Sequence, residues 1–184
     1  MSAADPGAEP VDVLDAEGRV VGCTTRRDMR RRRLPHRCVY ILVFDARGRL
    51  FVHLRTAGKD IYPSHWDAAV GGVLAAGESF DDGARRELAE ELGVTAPLTP
   101  LFPFRYEDRS TVAHAVVYAT VHDGPFVLQP EEVVEGRFLG WRELDELVAR
   151  QAACPDSQAV VAEYRRRYGD EGLAWRTAES SRSG

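Results

Sequence analysis

The stretch GVLAAGESFDDGARRELAEELGV, from Gly72 to Val94, carries helix signals in its second half. Ser79 followed by Asp82 three residues later is a helix N-cap pattern, and Gly93 is a typical helix stop. Between these signals, apolar residues recur every four positions and predict one buried helix face, formed by Ala84, Leu88 and Leu92. The stretch therefore predicts a loop followed by an amphipathic helix.

The same helix would bring three carboxylates together on a neighbouring face. Glu87, Glu90 and Glu91 are spaced i, i+3 and i+4, so their side chains point the same way. Their repulsion, roughly 0.3 kcal/mol per pair, would be offset by a divalent cation with oxygen ligands. Arg86 can pair with Glu90, and the loop from Gly71 to Gly77 can offer a backbone carbonyl. A solvated acidic helix face fits this spacing equally well.

Composition and charge are typical of a globular chain with one domain. It has 184 residues, 44% of them hydrophobic, and a net charge of −5, which argues against general nucleic-acid affinity. No run approaches the roughly 18 apolar residues of a membrane span, and no secretory signal is readable at the N-terminus. Three scattered cysteines without a CxxC pair are typical of a reducing compartment. We therefore predict a cytoplasmic protein with no membrane or nucleic-acid partner.

The order of the predicted elements favours a layered α/β fold. Composition predicts disordered tails over residues 1–10 and 178–184, on either side of a single domain over residues 11–177. Turn-forming glycines predict hairpins that join 11–14 to 19–23 and 39–44 to 50–54. Further strands are expected near 67–72, 112–121 and 133–139, and further helices over 26–33, 142–151 and 156–168. Strands and helices mix without a regular βαβ repeat, which favours an α/β/α sandwich over a doubly wound parallel sheet.

The stretch over residues 72–94 resembles the Nudix box, G-x5-E-x7-R-E-U-x-E-E-x-G-U with U aliphatic. Every specified position matches, namely Gly72, Glu78, Arg86, Glu87, Leu88, Glu90, Glu91, Gly93 and Val94. The resemblance implies an α/β/α sandwich with a mixed, curved sheet. It also implies hydrolysis of a nucleoside diphosphate linked to another moiety, with Mg²⁺ or Mn²⁺. Such chemistry needs a metal because a pyrophosphate must be neutralised before water can approach phosphorus.

The resemblance also assigns roles within the box. It implies metal ligands at Glu87, Glu90 and Glu91, with the Gly72 carbonyl as a further candidate. Arg86 and Glu78 would support catalysis by orienting these groups. The family varies on the general base, and Glu87 is the alternative candidate for that role.

A second acidic stretch follows at residues 131–135. Family members often bring an acidic residue from this region to the metal or to the attacking water. The stretch contains Glu131, Glu132 and Glu135, of which Glu132 is the preferred candidate and Glu131 is close behind. A solvated loop is the alternative for each of them.

The N-terminal hairpin, the arginine-rich segment and LPHRCVYILVFDARGRLFVHLRTAGKDIYPSHWD resemble isopentenyl-diphosphate isomerases and their hydrolase-like bacterial relatives. Isomerases place a catalytic cysteine before the box glycine and a histidine after it, where this chain has Gly71 and Val73. His36 matches one isomerase metal histidine, but the second would fall near Met29. Hydrolysis is therefore favoured over isomerisation, which needs groups that move protons on an alkene. A catalytically silent ligand sensor is the third alternative, which the complete box disfavours.

Other features leave the substrate and the assembly open. The arginine run over residues 26–33 could steer an anionic substrate, although a solvated basic helix is the favoured interpretation. Four aromatic residues could stack on a base, although core packing is favoured for each: Tyr62, Trp66, Phe104 and Tyr106. We expect a small-molecule diphosphate as substrate, and since family members are often dimers, a homodimer is compatible with the resemblance.

Overall fold

A computed structural model describes residues 5–170 of the chain. The predicted C-terminal tail, residues 178–184, lies outside this range. The strands are β1 (Pro10–Leu14), β2 (Val20–Thr25), β3 (His36–Phe44), β4 (Leu50–Arg55), β5 (Trp66–Asp67), β6 (Thr99–Glu107), β7 (Val112–Val121) and β8 (Val133–Leu139). The helices are α1 (Arg26–Arg32), α2 (Phe80–Leu92), α3 (Trp141–Arg150) and α4 (Pro155–Tyr168). The predicted hairpins and helices are therefore present, with their ends moved by at most three residues.

The main sheet is mixed, as the resemblance implies. Its strands follow the order β5-β4-β3-β7-β6, and β8 also pairs with β4. The β3–β7 pair is parallel and the other pairs are antiparallel. Strands β1 and β2 form a separate antiparallel pair. No helix within residues 5–170 is both long enough and apolar enough to cross a membrane.

Two hydrophobic cores lie on opposite faces of the main sheet. Successive side chains of a strand point to opposite faces, and β3 is buried on both. Ile41 and Val43 pack with the buried face of α2, whereas Leu42 and Phe44 pack with α3 and α4. The predicted α/β/α sandwich is thereby confirmed.

Helix α2 forms as its sequence predicts. The Ser79 hydroxyl accepts a hydrogen bond from the Asp82 backbone N–H at 3.1 Å, which caps the first turn. Gly93 ends the helix with a φ of 66°, a left-handed conformation that favours glycine. The predicted stripe is at most 1% exposed at Ala84, Leu88 and Leu92. Burial of this face therefore fixes which way the glutamates of the helix point.

Three parts of the chain differ from the sequence-based expectations. Strand β6 was not predicted because Pro100 and Pro103 interrupt its pattern, and prolines argue against a central strand. It is an edge strand, with a register shift between Pro100 and Phe102, and such positions tolerate a missing N–H. Pro6–Ala8, inside the predicted N-terminal tail, form a 3₁₀ helix capped by the Asp5 carboxylate, and Pro10 begins β1. The strand expected over 67–72 is reduced to β5 plus a single bridge between Val70 and Ile41.

Candidate active site

A cavity of about 760 Å³ brings the predicted site residues together. Its wall includes Glu87, Glu90 and Glu91 of α2, which we call the α2 side of the cleft. It also includes Tyr40 of β3 and Asp156 of α4, which we call the α4 side. Because α2 and α4 pack on opposite faces of the sheet, the cavity reaches both faces. A volume of this order accommodates a molecule of nucleotide size.

Arg86 organises the carboxylates of the α2 side. Its guanidinium donates to both Glu78 oxygens, at 2.8 and 2.9 Å. The Nη1 atom also donates to Glu87 Oε1 at 2.8 Å and to Glu90 Oε2 at 3.1 Å. Glu78 in turn accepts a hydrogen bond from the Ala75 backbone N–H at 2.9 Å. Because Glu78 and Ala75 lie in the loop before α2, Arg86 connects this loop to the helix. The orienting roles expected of Arg86 and Glu78 fit these contacts.

Two of the glutamates are buried and electrostatically strained. Glu87 is 7% exposed and Glu91 is 3% exposed, whereas Glu90 faces solvent. Burial raises the pKa of Glu87, and burial together with repulsion from Glu87 raises the pKa of Glu91. Within residues 5–170, the Oε2 atom of Glu91 is buried without a hydrogen-bond partner, and His53 Nε2 lies 3.9 Å from it. Burial lowers the pKa of His53 to about 4, so its imidazole is neutral and does not balance Glu91.

This donor set fits a hard divalent cation. An ion would relieve the burial cost of Glu87 and Glu91 and would occupy the free lone pairs of Glu91. Within residues 5–170, no three acidic, histidine or cysteine side chains are already grouped closely enough to hold an ion.

Gly72 lies against Glu87 in the cavity wall. A Cβ at this position would be 2.6 Å from Glu87 Oε1, so only glycine leaves the carboxylate in place. The Gly72 carbonyl accepts a hydrogen bond from the Val39 N–H at 3.0 Å. A carbonyl has a second lone pair, which is the one that would be available to an ion.

Only one residue of the second acidic stretch lines the cavity. Glu132 is there and pairs with Lys59 at 2.5 Å. Glu131 is exposed, with its backbone carbonyl accepting from the Thr56 hydroxyl, and Glu135 is exposed on β8. The preference for Glu132 over its neighbours is consistent with this placement.

The expectation of a solvated basic helix is wrong for two arginines of α1. Arg26 and Arg30 line the cavity, with side chains only 20% and 26% exposed. Arg26 pairs with Glu9 and donates to the Val73 carbonyl, and Arg30 pairs with Asp60. Other arginines of the run do face solvent, namely Arg27, Arg31 and Arg32. The helical period directs Arg26 and Arg30 to one side because they are four residues apart.

The α4 side was missed by sequence reasoning. The Tyr40 hydroxyl donates to Asp156 Oδ2 at 3.0 Å, although the two residues are 116 positions apart in the chain. Asp67, on β5, pairs with Arg55 at 3.0 Å and also lines the cavity. No local pattern links these positions, because strand order and helix packing bring them together.

The aromatic residues divide between core and cavity. Trp66 is 5% exposed in the core, as the favoured interpretation had it. Tyr62 lines the cavity, and its hydroxyl donates to Asp108 Oδ2 at 2.5 Å. Phe104 and Tyr106 are partly buried and pack against the cluster that contains Cys38 and Ala113.

The positions where isomerases have catalytic or metal-binding residues contribute to packing in this chain. Gly71 has a φ of 147°, and a Cβ on it would lie 2.1 Å from the Val39 carbonyl oxygen, so no cysteine fits without moving β3. Val73 and Met29 are buried together in a small core. His36 is buried, its Nδ1 lies 2.9 Å from the Leu34 carbonyl, and burial lowers its pKa to about 4.

Comparisons with known proteins agree with this geometry. The family model for the NUDIX domain matches residues 34–164. An uncharacterized Nudix hydrolase of Streptomyces coelicolor is 41% identical over 181 residues, covering 97% of this chain and 94% of its own. One from Yersinia pestis is 37% identical over 156 residues, covering 84% of each. A Deinococcus radiodurans protein of known crystal structure superposes with a TM-score of 0.72 at 28% identity, over 86% of this chain and 98% of its own.

Proposed function

The chain belongs to the Nudix hydrolase family, and from that premise we propose that it cleaves a diphosphate linkage in a small molecule. The substrate would be a nucleoside diphosphate joined to another moiety. Mg²⁺ or Mn²⁺ would be held on the α2 side by Glu87, Glu90 and Glu91, with the Gly72 carbonyl as a further ligand. When bound, the ion would neutralise phosphate charge and lower the pKa of the attacking water.

The observation that carries this proposal is that acidic and basic side chains line the same cavity. Glu87 and Glu91 are buried with raised pKa values, which suits cation binding. Arg30 and Lys59 line the same cavity and offer positive charge to a diphosphate. A site for a metal–diphosphate complex needs both signs of charge close together.

The residues of the chain would divide the work as follows. Arg86 and Glu78 would hold the Glu87 carboxylate in place through the contacts described above. Arg26 and Arg30 would bind phosphate oxygens. Glu132 would leave Lys59 and accept the proton of the attacking water, while the freed Lys59 ammonium would contact the substrate.

Two other activities are weaker candidates. Isomerase-like chemistry is disfavoured because the backbone at Gly71 leaves no space for a Cβ and so excludes the thiol that isomerisation needs. A catalytically silent ligand sensor would retain the cavity without turnover, and the complete set of box side chains counts against it.

The test is a product-release screen with Mg²⁺ and Mn²⁺ over nucleotide sugars, dinucleotides, CoA, nucleoside triphosphates and prenyl diphosphates. We expect turnover of at least one diphosphate, and a loss of about 100-fold or more in kcat for Glu91→Gln and Glu90→Gln, above the 10–100-fold typical of outer-shell partners. The matched control is Glu135→Gln, since Glu135 is exposed on β8.

Two outcomes would overturn the proposal. Hydrolysis that survives both substitutions unchanged would contradict the metal-site assignment. Tight binding of one diphosphate with no turnover of any would favour the sensor function instead.

A further inference from the structure

The α4 side of the cavity contains a carboxylate that the proposed hydrolysis does not use. Asp156 stands in the first turn of α4, with Tyr40 of β3 beside it. Both residues line the same cavity as the α2 glutamates. A ligand whose diphosphate lies at the α2 side can therefore extend its remaining part towards Asp156 within the same cavity.

Asp156 differs from its acidic neighbour in how its charge is balanced. Asp67 is paired with Arg55 at 3.0 Å. Within residues 5–170, no arginine, lysine or histidine forms an ion pair with Asp156, although Arg55 acts on it at longer range. Its contacts are the Tyr40 hydroxyl on Oδ2 at 3.0 Å and the Ser157 N–H on Oδ1 at 2.9 Å. Asp156 lines the cavity, and each of its oxygens has capacity for a further hydrogen bond, which an N–H or O–H donor of a ligand would fill.

The electrostatics of the pair agree with this geometry. Burial and repulsion from Asp67 raise the pKa of Asp156 to about 6. Above that pH the cavity wall carries a negative charge without a cation of its own. A hydrocarbon chain laid against it would remove water without replacing its hydrogen bonds, which is unfavourable. A group with hydrogen-bond donors would satisfy it.

We propose that Asp156, held by Tyr40, determines substrate specificity by accepting a hydrogen bond from an N–H or O–H group on the part of the substrate beyond the diphosphate. This inference rests on the proposed function for the position of the diphosphate. The cleft would then select a polar, donor-bearing moiety over a prenyl chain. A nucleobase and a sugar are the two sources of such donors.

Binding measurements test this independently of turnover. The probes are ADP-ribose, ADP, isopentenyl diphosphate and inorganic pyrophosphate, each with the bridging oxygen of its diphosphate replaced by a non-hydrolysable methylene group, titrated calorimetrically into the full chain with Mg²⁺. We expect Asp156→Ala to weaken ADP-ribose or ADP by about 10- to 100-fold, as for a lost hydrogen bond to a charged group. Pyrophosphate and isopentenyl diphosphate should keep their affinities, since they lack the donor. Asp145→Asn, an exposed aspartate on α3, is the control.

Variants of the same position separate recognition from folding. Asp156→Asn has the same shape and keeps one acceptor, so it should bind ADP-ribose more weakly than the natural chain but better than Asp156→Ala. Tyr40→Phe should weaken binding of the same probes less than Asp156→Ala does, because it removes the hydrogen bond that holds the Asp156 carboxylate but keeps the carboxylate itself. Comparison of ADP with 2′-deoxy-ADP and with purine riboside diphosphate, which lacks the amino group, identifies whether sugar or base supplies the donor.

Several results would overturn the inference. One is an equal loss of pyrophosphate affinity in Asp156→Ala and Asp156→Asn, which would place the role at the phosphates or in folding. Others are unchanged binding of every probe, or tighter binding of isopentenyl diphosphate than of any donor-bearing probe. Binding as expected without hydrolysis would leave the specificity assignment standing and would contradict the proposed function alone.

Discussion

The α2 side and the α4 side of the cleft differ in how their residues are distributed along the chain. Gly72, Glu78 and the glutamates of α2 fall within 23 residues, on one loop and one helix. Tyr40 and Asp156 are 116 positions apart and meet only because β3 and α4 pack together. Groups on one helix keep a fixed mutual geometry, whereas groups on separate elements can be changed one at a time. Chemistry common to a family suits the first arrangement, and selection of a particular substrate suits the second.

The two sides also differ in charge balance. On the α2 side, Arg86 contacts three carboxylates, whereas Glu91 Oε2 has no hydrogen-bond partner within residues 5–170. On the α4 side, Asp67 has its arginine and Asp156 does not. Each side thus holds one buried or half-buried carboxylate that forms no ion pair with an arginine or lysine of residues 5–170. A cation fits the first and a hydrogen-bond donor fits the second.

Adjacent glycines of the box loop provide the strongest test of the α2 side. Gly71→Ala would place a Cβ 2.1 Å from the Val39 carbonyl oxygen at a φ of 147°, so we expect a loss of about 3 kcal/mol in the free energy of unfolding. Gly72→Ala meets only the flexible Glu87 side chain, so the fold should persist while kcat falls about 10-fold. Urea unfolding and steady-state kinetics separate the two effects. Equal free energies of unfolding for the two variants would contradict the assignment of Gly71 to backbone packing and of Gly72 to the glutamate site.

Arg86 is the next test, because it connects the box carboxylates. Arg86→Ala would leave Glu78, Glu87 and Glu90 without their shared cation, and we expect kcat/KM to fall about 10- to 100-fold. Arg86→Lys should recover little, since an ammonium cannot reproduce the paired contacts to Glu78. Arg85→Ala, at an exposed neighbour paired with Asp82, is the control. Full activity in Arg86→Lys would show that charge alone is sufficient.

The smallest expected effect concerns the stability contribution of Asp156. Its folded-state pKa of about 6 is above the ordinary 3.8, so the folded chain binds this proton more tightly than the unfolded chain does. The resulting stability is present below about pH 4 and is lost as the pH rises through 6. Asp156→Asn does not ionise. The pKa shift of about two units corresponds to about 3 kcal/mol, but the single amide oxygen of Asp156→Asn gives up one of the two accepted hydrogen bonds. At pH 8 the variant should therefore be more stable than the natural chain by about 1 kcal/mol, with no gain at pH 4. Urea unfolding at both pH values measures this, and a gain independent of pH would refute the charge explanation.

Prediction from sequence succeeded where the signals are local. The Ser79 cap, the Gly93 stop and the four-residue stripe predict α2 and the direction of its glutamates, and the structure has all three. It failed at β6, because Pro100 and Pro103 are acceptable only on an edge strand, and edge position depends on the order of the whole sheet. The prediction that Arg26 and Arg30 face solvent was wrong for a similar reason, because the position of α1 beside the cavity depends on the whole fold.

The sequence by itself determined the box loop, the amphipathic helix and the family, because spacing along one helix fixes which side chains share a face. Only the tertiary structure decided that Arg26, Arg30, Lys59 and Asp156 line the same cavity as the glutamates. Those residues come from α1, the segment after β4 and α4, and no periodicity connects them. Their meeting depends on how the two helical layers close around the sheet, which is a property of the whole hydrophobic core.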